Sequence, residues 1–240
     1  MDIKEEEILG DAVGDHWYYC SKAKAVIGFL GKNKISEVLD IGAGSGIFSE
    51  KLIDAGVVDS AVCVDIEYPE NTEKMRNGHR IQYVKSVENI TQPLLLMMDV
   101  VEHIEDDLAF IRSYAEMMPK GSKLLLTAPA FKFLWSGHDE FLGHERRYTL
   151  KQLEKVVSDA GLTVVKGRYF FGSLFPLVVV IRFINRLKVK LGGAAPESSL
   201  EKHSPFVNNI LKYIHDIEYH TLFKINRFAG LSVFCIAEKK

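Results

Sequence analysis

The sequence predicts an α/β domain built on a parallel sheet, and three observations carry that prediction. Short apolar runs alternate with stretches of helical period, a glycine cluster directly follows the first run, and an acidic residue closes the second. Seven runs read as strands, at 37–41, 61–65, 81–85, 94–99, 122–128, 162–170 and 232–238. Helices fit between them at 17–30, 45–54, 103–118 and 150–160. The last of these is framed by Thr149 and Gln152 as a capping box and by Gly161 as a stop. No internal repeat is seen. A segment of about 60 residues, 171–230, separates the last two strands and exceeds what a minimal α/β sheet needs.

A chain of 240 residues with 47% hydrophobic and 26% charged content is neither disordered nor low-complexity, and it suits one compact domain, 1–240. The net charge of −2 excludes a surface built throughout to hold nucleic acid. That balance hides an asymmetry: residues 1–150 carry 16 basic against 25 acidic side chains, whereas residues 151–240 carry 14 against 7. Cys20, Cys63 and Cys235 form no C-x-x-C pair and fit no closed disulfide framework, which points to a reducing compartment. The first ten residues, MDIKEEEILG, are acidic and lack an apolar core, so a cytoplasmic location is expected.

The run Val38–Ile41 leads into Gly42-Ala43-Gly44-Ser45-Gly46 and then into a helix, so the glycines sit at the first βα turn, where open α/β sheets bind nucleotides. Glycine lets the backbone turn tightly, and the helix start offers free N–H groups and a positive dipole end, a geometry that suits an adenosyl ligand. The third glycine comes one residue earlier than in a dinucleotide fingerprint, and Asp40 precedes the loop. A carboxylate there repels a pyrophosphate but accepts from an ammonium group such as that of a methionine moiety. Asp65, 23 residues after Gly42, is placed to accept from two ribose hydroxyls.

These stretches resemble the class I S-adenosylmethionine-dependent methyltransferases. VLDIGAGSG resembles their first motif, VCVDI the acid of their second strand, and MMDVVEHIEDD the fourth-strand motif of a large group of small-molecule methyltransferases. The likeness extends to HWYYCSKAKAV near the N-terminus, to HDEFLGHERRYTLKQLEKVVSDAGL after the fifth strand and to AGLSVFCIAEK at the close. It implies a Rossmann-like, seven-stranded, mostly parallel sheet of order 3-2-1-4-5-7-6, with helices on both faces, the seventh strand antiparallel and 171–230 as a helical cap inserted before it. It also implies S-adenosyl-L-methionine as cofactor. Asp40, Gly42, Ala43, Gly44 and Gly46 would hold its methionine end, with Asp65 and Ile66 at the ribose and adenine. Ser86 and Val87 would meet the adenine edge, and Asp99 and Val100 would form the floor below the sulfonium. Two positions depart from the family: Ser86 stands where an aspartate is frequent, and Lys22 where an arginine is common. Lys22 can still meet the ligand carboxylate, without a bidentate fork.

Methyl transfer from a sulfonium is an in-line displacement, so the protein must position the reactants and, for a hydroxyl acceptor, supply a base. Candidate catalytic residues are His103, His138, Asp139 and His144, all near strand C-terminal ends; Glu102, Arg146, Arg147 and Tyr148 are candidates for holding the acceptor, the arginines as a clamp for a phosphate or carboxylate. The spacing of His138 and His144 is not that of a tight ligand pair, so no metal is assigned. Asp99-Val100-Val101-Glu102 lacks the N/D-P-P-Y/F pattern typical of methyltransferases that act on nucleic-acid bases. A small-molecule or lipid-linked acceptor, methylated at oxygen, is the leading expectation. A nicotinamide-dependent oxidoreductase and a noncatalytic cofactor-binding subunit are the alternatives.

Between Asp159 and Glu197 there is no acidic residue, while Lys166, Arg168, Arg182, Arg186, Lys188 and Lys190 are basic. A helical projection of 177–191 puts Val180, Ile184, Leu187 and Leu191 on one face and Arg182, Arg186 and Lys190 on the other. Such a helix either is a substrate lid that packs its apolar face on its own sheet or on a second copy in a homodimer, or covers a lipid-like substrate, or lies in an anionic membrane interface at the inner face of the membrane. Residues 205–228 read as another helix of the same cap, and Gly192–Pro196 with Ser198 and Ser199 as the connector.

Overall fold

The computed structural model describes residues 10–31, 33–190 and 203–240. The proposed connector and Leu191 lie outside these residues. Eight strands are seen among them, in the order β3-β4-β2-β1-β5-β6-β8-β7. The strands are β1 (Val38–Ile41), β2 (Ser60–Val64), β3 (Thr72–Arg76), β4 (His79–Val84), β5 (Leu94–Met98), β6 (Lys123–Pro129), β7 (Thr163–Phe170) and β8 (Ser232–Glu238). β1 pairs in parallel with β2 and β5, β2 with β4, and β5 with β6, whereas β8 runs antiparallel to both β6 and β7. Seven of the strands keep the expected order.

The eighth, β3, corrects the seven-strand expectation. It forms an antiparallel edge hairpin with β4 through Asn77-Gly78, both at positive φ as a type I′ turn requires. Its sequence, TEKMR, is mostly exposed and charged, so no apolar run marks it. The Asn-Gly pair was the available signal.

The helices are α1 (Trp17–Leu30), α2 (Ile47–Asp54), α3 (Asp107–Met117), α4 (Gly137–Leu142), α5 (Leu150–Asp159), α6 (Phe175–Lys190) and α7 (Pro205–His220). Thr149 and Gln152 form the expected capping box on α5. The helix expected over 103–118 begins only at Asp107, because Val101–His103 form a separate 3₁₀ turn and the Asp106 carboxylate caps α3 by accepting from the Ala109 N–H at 2.9 Å.

Strands β1 and β5 are buried on both faces, so alternate residues feed two cores. Val38, Leu94 and Leu96 join α1 and α2 in one core; Leu39, Leu95 and Met97 join α3 and α5 in the other. The mostly parallel order places the C-terminal ends of β1, β2 and β5 side by side, the region where such sheets gather a site.

Of the alternatives left open for the insertion, packing of its apolar faces on the protein's own sheet is not what the described residues show. On α6, Val180, Ile184 and Leu187 are exposed, as are Leu177, Ile181 and Phe183. On α7 the buried residues are the polar Asn208, His215 and Glu218, whereas Phe206, Ile210, Tyr213 and Ile217 are exposed. The α7 helix docks through those polar groups. The Trp17 N–H donates to Asn208 Oδ1 at 2.8 Å, and the Glu218 carboxylate accepts from the N–H groups of Gly172 and Ser173 at 2.6 and 3.0 Å.

Candidate active site

The glycine loop is ordered from within. Gly42 has φ +64°, and a Cβ there would approach Val100 Cγ2 to 2.7 Å, so the missing side chain accommodates Val100 as well as the turn. The Gly44 N–H donates to Asp65 Oδ2 at 2.9 Å and the Glu67 N–H to Oδ1 at 3.0 Å, which fixes the Asp65 carboxylate at the end of β2. The Tyr68 hydroxyl donates to the Gly44 carbonyl at 2.5 Å. Tyr68 was not among the sequence candidates, since a tyrosine in a turn carries no spacing signal.

Asp40 is buried on β1. The Ser49 hydroxyl donates to its Oδ2 at 2.8 Å, and Oδ1 has no hydrogen-bond partner. Burial pushes its pKa up to about 6, against the lowering effect of Ser49. An unfilled buried acceptor beside the glycine loop, with a second fixed carboxylate at Asp65, fits a ligand that brings an ammonium group and a diol. It fits a pyrophosphate badly. Ala43 and Gly46 are buried within the loop, Ile66 and Ser86 are exposed, and Val87 is partly buried at the same edge of the sheet.

Asp99 follows β5 with φ +56°, a conformation that a non-glycine residue holds only when its surroundings enforce it. Its carboxylate accepts from the Lys22 ammonium, from the Tyr18 hydroxyl at 3.2 Å and from the Thr127 hydroxyl at 3.1 Å. Burial opposes ionisation there, but Lys22 outweighs it and holds the Asp99 carboxyl below its ordinary range. Lys22 itself is fully buried and also donates to the Tyr18 hydroxyl at 2.9 Å. The structure thus places Lys22 on Asp99, where a ligand carboxylate was expected.

Next to Asp99 opens a cavity of about 270 Å³. Glu102, His103, His138, His144 and Arg147 all line it, although they come from the 3₁₀ turn, α4 and the segment after α4. Glu102 is fully buried with neither carboxylate oxygen hydrogen-bonded, and burial together with the charge of Asp99 pushes its pKa well up. The rings of His103 and His144 meet edge-on at 4.7 Å. Ligand atoms of Glu102, His103 and His144 lie within 4.8 Å of one another, donor types that a divalent cation accepts. The charge of the Lys22 ammonium also reaches Glu102.

Asp139 organises the side chains of His144 and Arg147 from behind the cavity lining. It is fully buried and closes the capping box of α4, taking the Ser136 N–H at 2.8 Å. It faces His144 Nδ1 at 2.9 Å and takes the Arg147 guanidinium at 2.6 and 3.0 Å. Burial opposes its ionisation, but the His144 and Arg147 hydrogen bonds win and hold it far below the usual carboxylate range. His138 is driven the other way, its pKa pulled down to about 4 mainly by burial, with Asp139 opposing. Arg147 therefore anchors Asp139, where the sequence suggested a clamp on the acceptor. Arg146 and Tyr148 do not line the cavity. Arg146 donates to the Glu105 carbonyl at 2.6 Å, and the buried Tyr148 hydroxyl donates to Asp107 at 2.6 Å.

Residues 15–166 match the family model described as a methyltransferase domain. The ubiquinone biosynthesis O-methyltransferase of Xanthomonas euvesicatoria pv. vesicatoria is 31% identical over 101 residues, 38% of this chain and 42% of that relative, so the match spans well under two thirds of its length. A solved phosphoethanolamine N-methyltransferase 2 of Haemonchus contortus, in complex with S-adenosyl-L-methionine, superposes with TM-score 0.56 at 16% identity, over 99% of this chain and 56% of that one. A SAM-dependent methyltransferase from Archaeoglobus fulgidus gives TM-score 0.51 at 17% identity, over 98% of both chains. The family match over more than half the chain, with the glycine loop, the two acids and the sheet order already in place, makes this chain a member of the methyltransferase-domain family of class I, S-adenosylmethionine-dependent enzymes.

Proposed function

We propose that the protein transfers a methyl group to a hydroxyl oxygen of a small-molecule or lipid-linked acceptor bound in the cavity beside Asp99, with His144 as the base. One observation carries this reading: His144 lines the cavity and its Nδ1 lies 2.9 Å from the buried Asp139 carboxylate behind it. A buried carboxylate that accepts the Nδ1 proton fixes the imidazole tautomer in which Nε2 has its lone pair available, and that nitrogen can then take the acceptor's hydroxyl proton. Asp139 is a positioning residue in this scheme, held by Arg147. His138, whose charged form burial disfavours, and Glu102, whose ionisation burial and Asp99 oppose, are hydrogen-bonding groups around the acceptor. Bound S-adenosylmethionine supplies the methyl group on a sulfonium, with Asp40 and Asp65 as the carboxylates for its ammonium and ribose ends. The O-methyltransferase relative supports oxygen as the target.

The decisive assay is transfer of a labelled methyl group from S-adenosylmethionine across a panel of phenols and catechols. His144→Gln should abolish transfer and leave cofactor affinity, measured by calorimetry, intact. Parallel loss of affinity and transfer would assign His144 a structural role, and a panel that accepts label only at nitrogen or sulfur would overturn the choice of oxygen.

We further propose that residues 171–230 form a cap whose outward apolar side chains and cations seat it on an anionic membrane surface. The outward apolar faces of α6 and α7 and the absence of acidic residues from 160 to 196 support this. No described helix is long and apolar enough to cross a membrane. A second copy covering the same face, as in a homodimer, is the competing outcome.

A further inference from the structure

We infer that a basic pocket between α1, β7 and the C-terminal end of α7 binds a phosphate monoester group, carried either by a soluble phosphate or by a lipid headgroup. The inference goes beyond the proposed methyl transfer and does not depend on it.

The pocket has a volume of about 180 Å³ and shares no lining residue with the acceptor cavity. Lys166, Arg168 and Lys224 line it together with the rings of Phe29, Tyr219 and Phe223. On β7, Lys166 and Arg168 stand two residues apart, the spacing that puts side chains on one face of a strand. Carbonyls hold Arg168 in place: its Nε donates to that of Lys224 at 2.9 Å and its Nη1 to that of Gly167 at 2.6 Å, so Nη2 is left to donate elsewhere. Lys166 is partly buried, its ammonium 4.1 Å from the centre of the Phe29 ring. Tyr219 packs so closely on α1 that a Cβ at Gly28 would come within 2.4 Å of its hydroxyl, and that hydroxyl makes no hydrogen bond among the described residues.

None of the three cations forms an ion pair among the described residues. The acids of the adjoining segments are engaged elsewhere: Asp216 by Lys24, Glu218 by the Gly172 and Ser173 N–H groups, and Glu154 by Arg227. Burial disfavours the Lys166 charge, Arg168 and Lys123 add to the effect, and no carboxylate opposes them. Like charges gathered and partly desolvated in this way cost the fold stability until an anion joins them. A carboxylate ligand brings one charge and two oxygens. A phosphate monoester brings a charge of roughly −1.5 to −2 and three acceptor oxygens, which suits three cations and the Tyr219 hydroxyl. Tyr219, Phe223 and Lys224 belong to the insertion and Phe29 to α1, whose Trp17 and Tyr18 line the acceptor cavity, so the bound group ties the insertion to the body.

The test uses the full chain at low salt and has two arms: calorimetric titration with inorganic phosphate, and flotation with phosphatidylcholine vesicles that contain either phosphatidic acid, a monoester, or phosphatidylglycerol, a diester, at matched surface charge. A soluble source predicts binding of inorganic phosphate that Arg168→Gln weakens at least about tenfold and Lys224→Gln about threefold, in keeping with one partly buried and one exposed charged contact. A lipid source predicts that the native protein prefers the phosphatidic acid vesicles and that both variants lose the preference. Either result supports the site and names its source. Lys224 is exposed, so Lys224→Gln should keep the native urea midpoint and its loss of binding cannot be read as unfolding. Lys74→Gln, on β3 at the opposite edge of the sheet, should change neither arm. Absence of both phosphate binding and vesicle preference in the native protein, binding that survives Arg168→Gln and Lys224→Gln, or an equal loss in Lys74→Gln overturns the inference.

Discussion

At the residue scale, two buried carboxylates behave in opposite ways, and their environments explain both. Asp40 has only Ser49 against its burial, so its folded-state pKa stands near 6, above the ordinary 3.8. The folded state then holds the proton more tightly than the unfolded chain. The stability contributed by this group is complete below about pH 4 and is lost as pH rises towards 6, a change of roughly 3 kcal/mol at most. Asp40→Asn keeps an acceptor for Ser49 and removes the titration, so it should gain stability on the native protein between pH 4 and 8 in urea unfolding, while S-adenosylmethionine affinity falls; parallel stability curves would contradict this. Asp139 is the reverse case, ionised by His144 and Arg147, and its contribution is present above its ordinary pKa and lost as pH falls below it. Asp139→Asn can offer His144 an amide N–H and so fix the wrong tautomer. We expect kcat to drop by roughly 10²–10⁴ with cofactor affinity retained, and stability to fall by about 3 kcal/mol from the loosened Arg147. Arg146, Arg147 and Tyr148 looked alike in the sequence as a polar run, and only their partners separate an anchor of Asp139 from two residues outside the cavity.

At the element scale, period and punctuation were legible where burial dictated them. The apolar runs of β1, β5 and β6 are read directly because both faces of those strands are buried. The charged β3 was not, because an exposed edge strand needs no apolar alternation, and its hairpin is held by the turn and by β4. Gly78 has φ +79° with open space around it, so Gly78→Ala should cost about 1 kcal/mol through backbone strain alone, seen as a lower urea midpoint with an unchanged slope. The 3₁₀ turn at Val101–His103 was likewise hidden inside an expected helix. Its consequence is functional: it leaves Glu102 and His103 on the cavity wall ahead of α3.

At the scale of the whole molecule, the charge asymmetry between the two halves acquires a shape. The acidic body contains the glycine loop and its carboxylates, and the basic insertion presents apolar side chains outward from α6 and α7. Liposomes with anionic lipid should retain the protein in flotation at low salt. Arg186→Glu combined with Lys188→Glu should release it, and neutral liposomes should bind it weakly. Retention insensitive to charge, or a concentration-dependent dimer that buries the same face, would favour a second copy as the occupant.

The sequence by itself determined the sheet class, the glycine turn, the acids at the ends of β1 and β2 and the candidate histidines, because each depends on local spacing or on burial imposed strand by strand. Tertiary structure alone decided which side chains meet. The Lys22–Asp99 pair, the Asp139 anchor of His144 and Arg147, and the inward turn of Arg182 join residues by the packing of α1, α4 and α6 over the sheet edge. Helical projection identifies two faces of α6 but cannot say which one the cavity receives, since that depends on the direction in which the chain leaves β7 and on what already lines the space beneath.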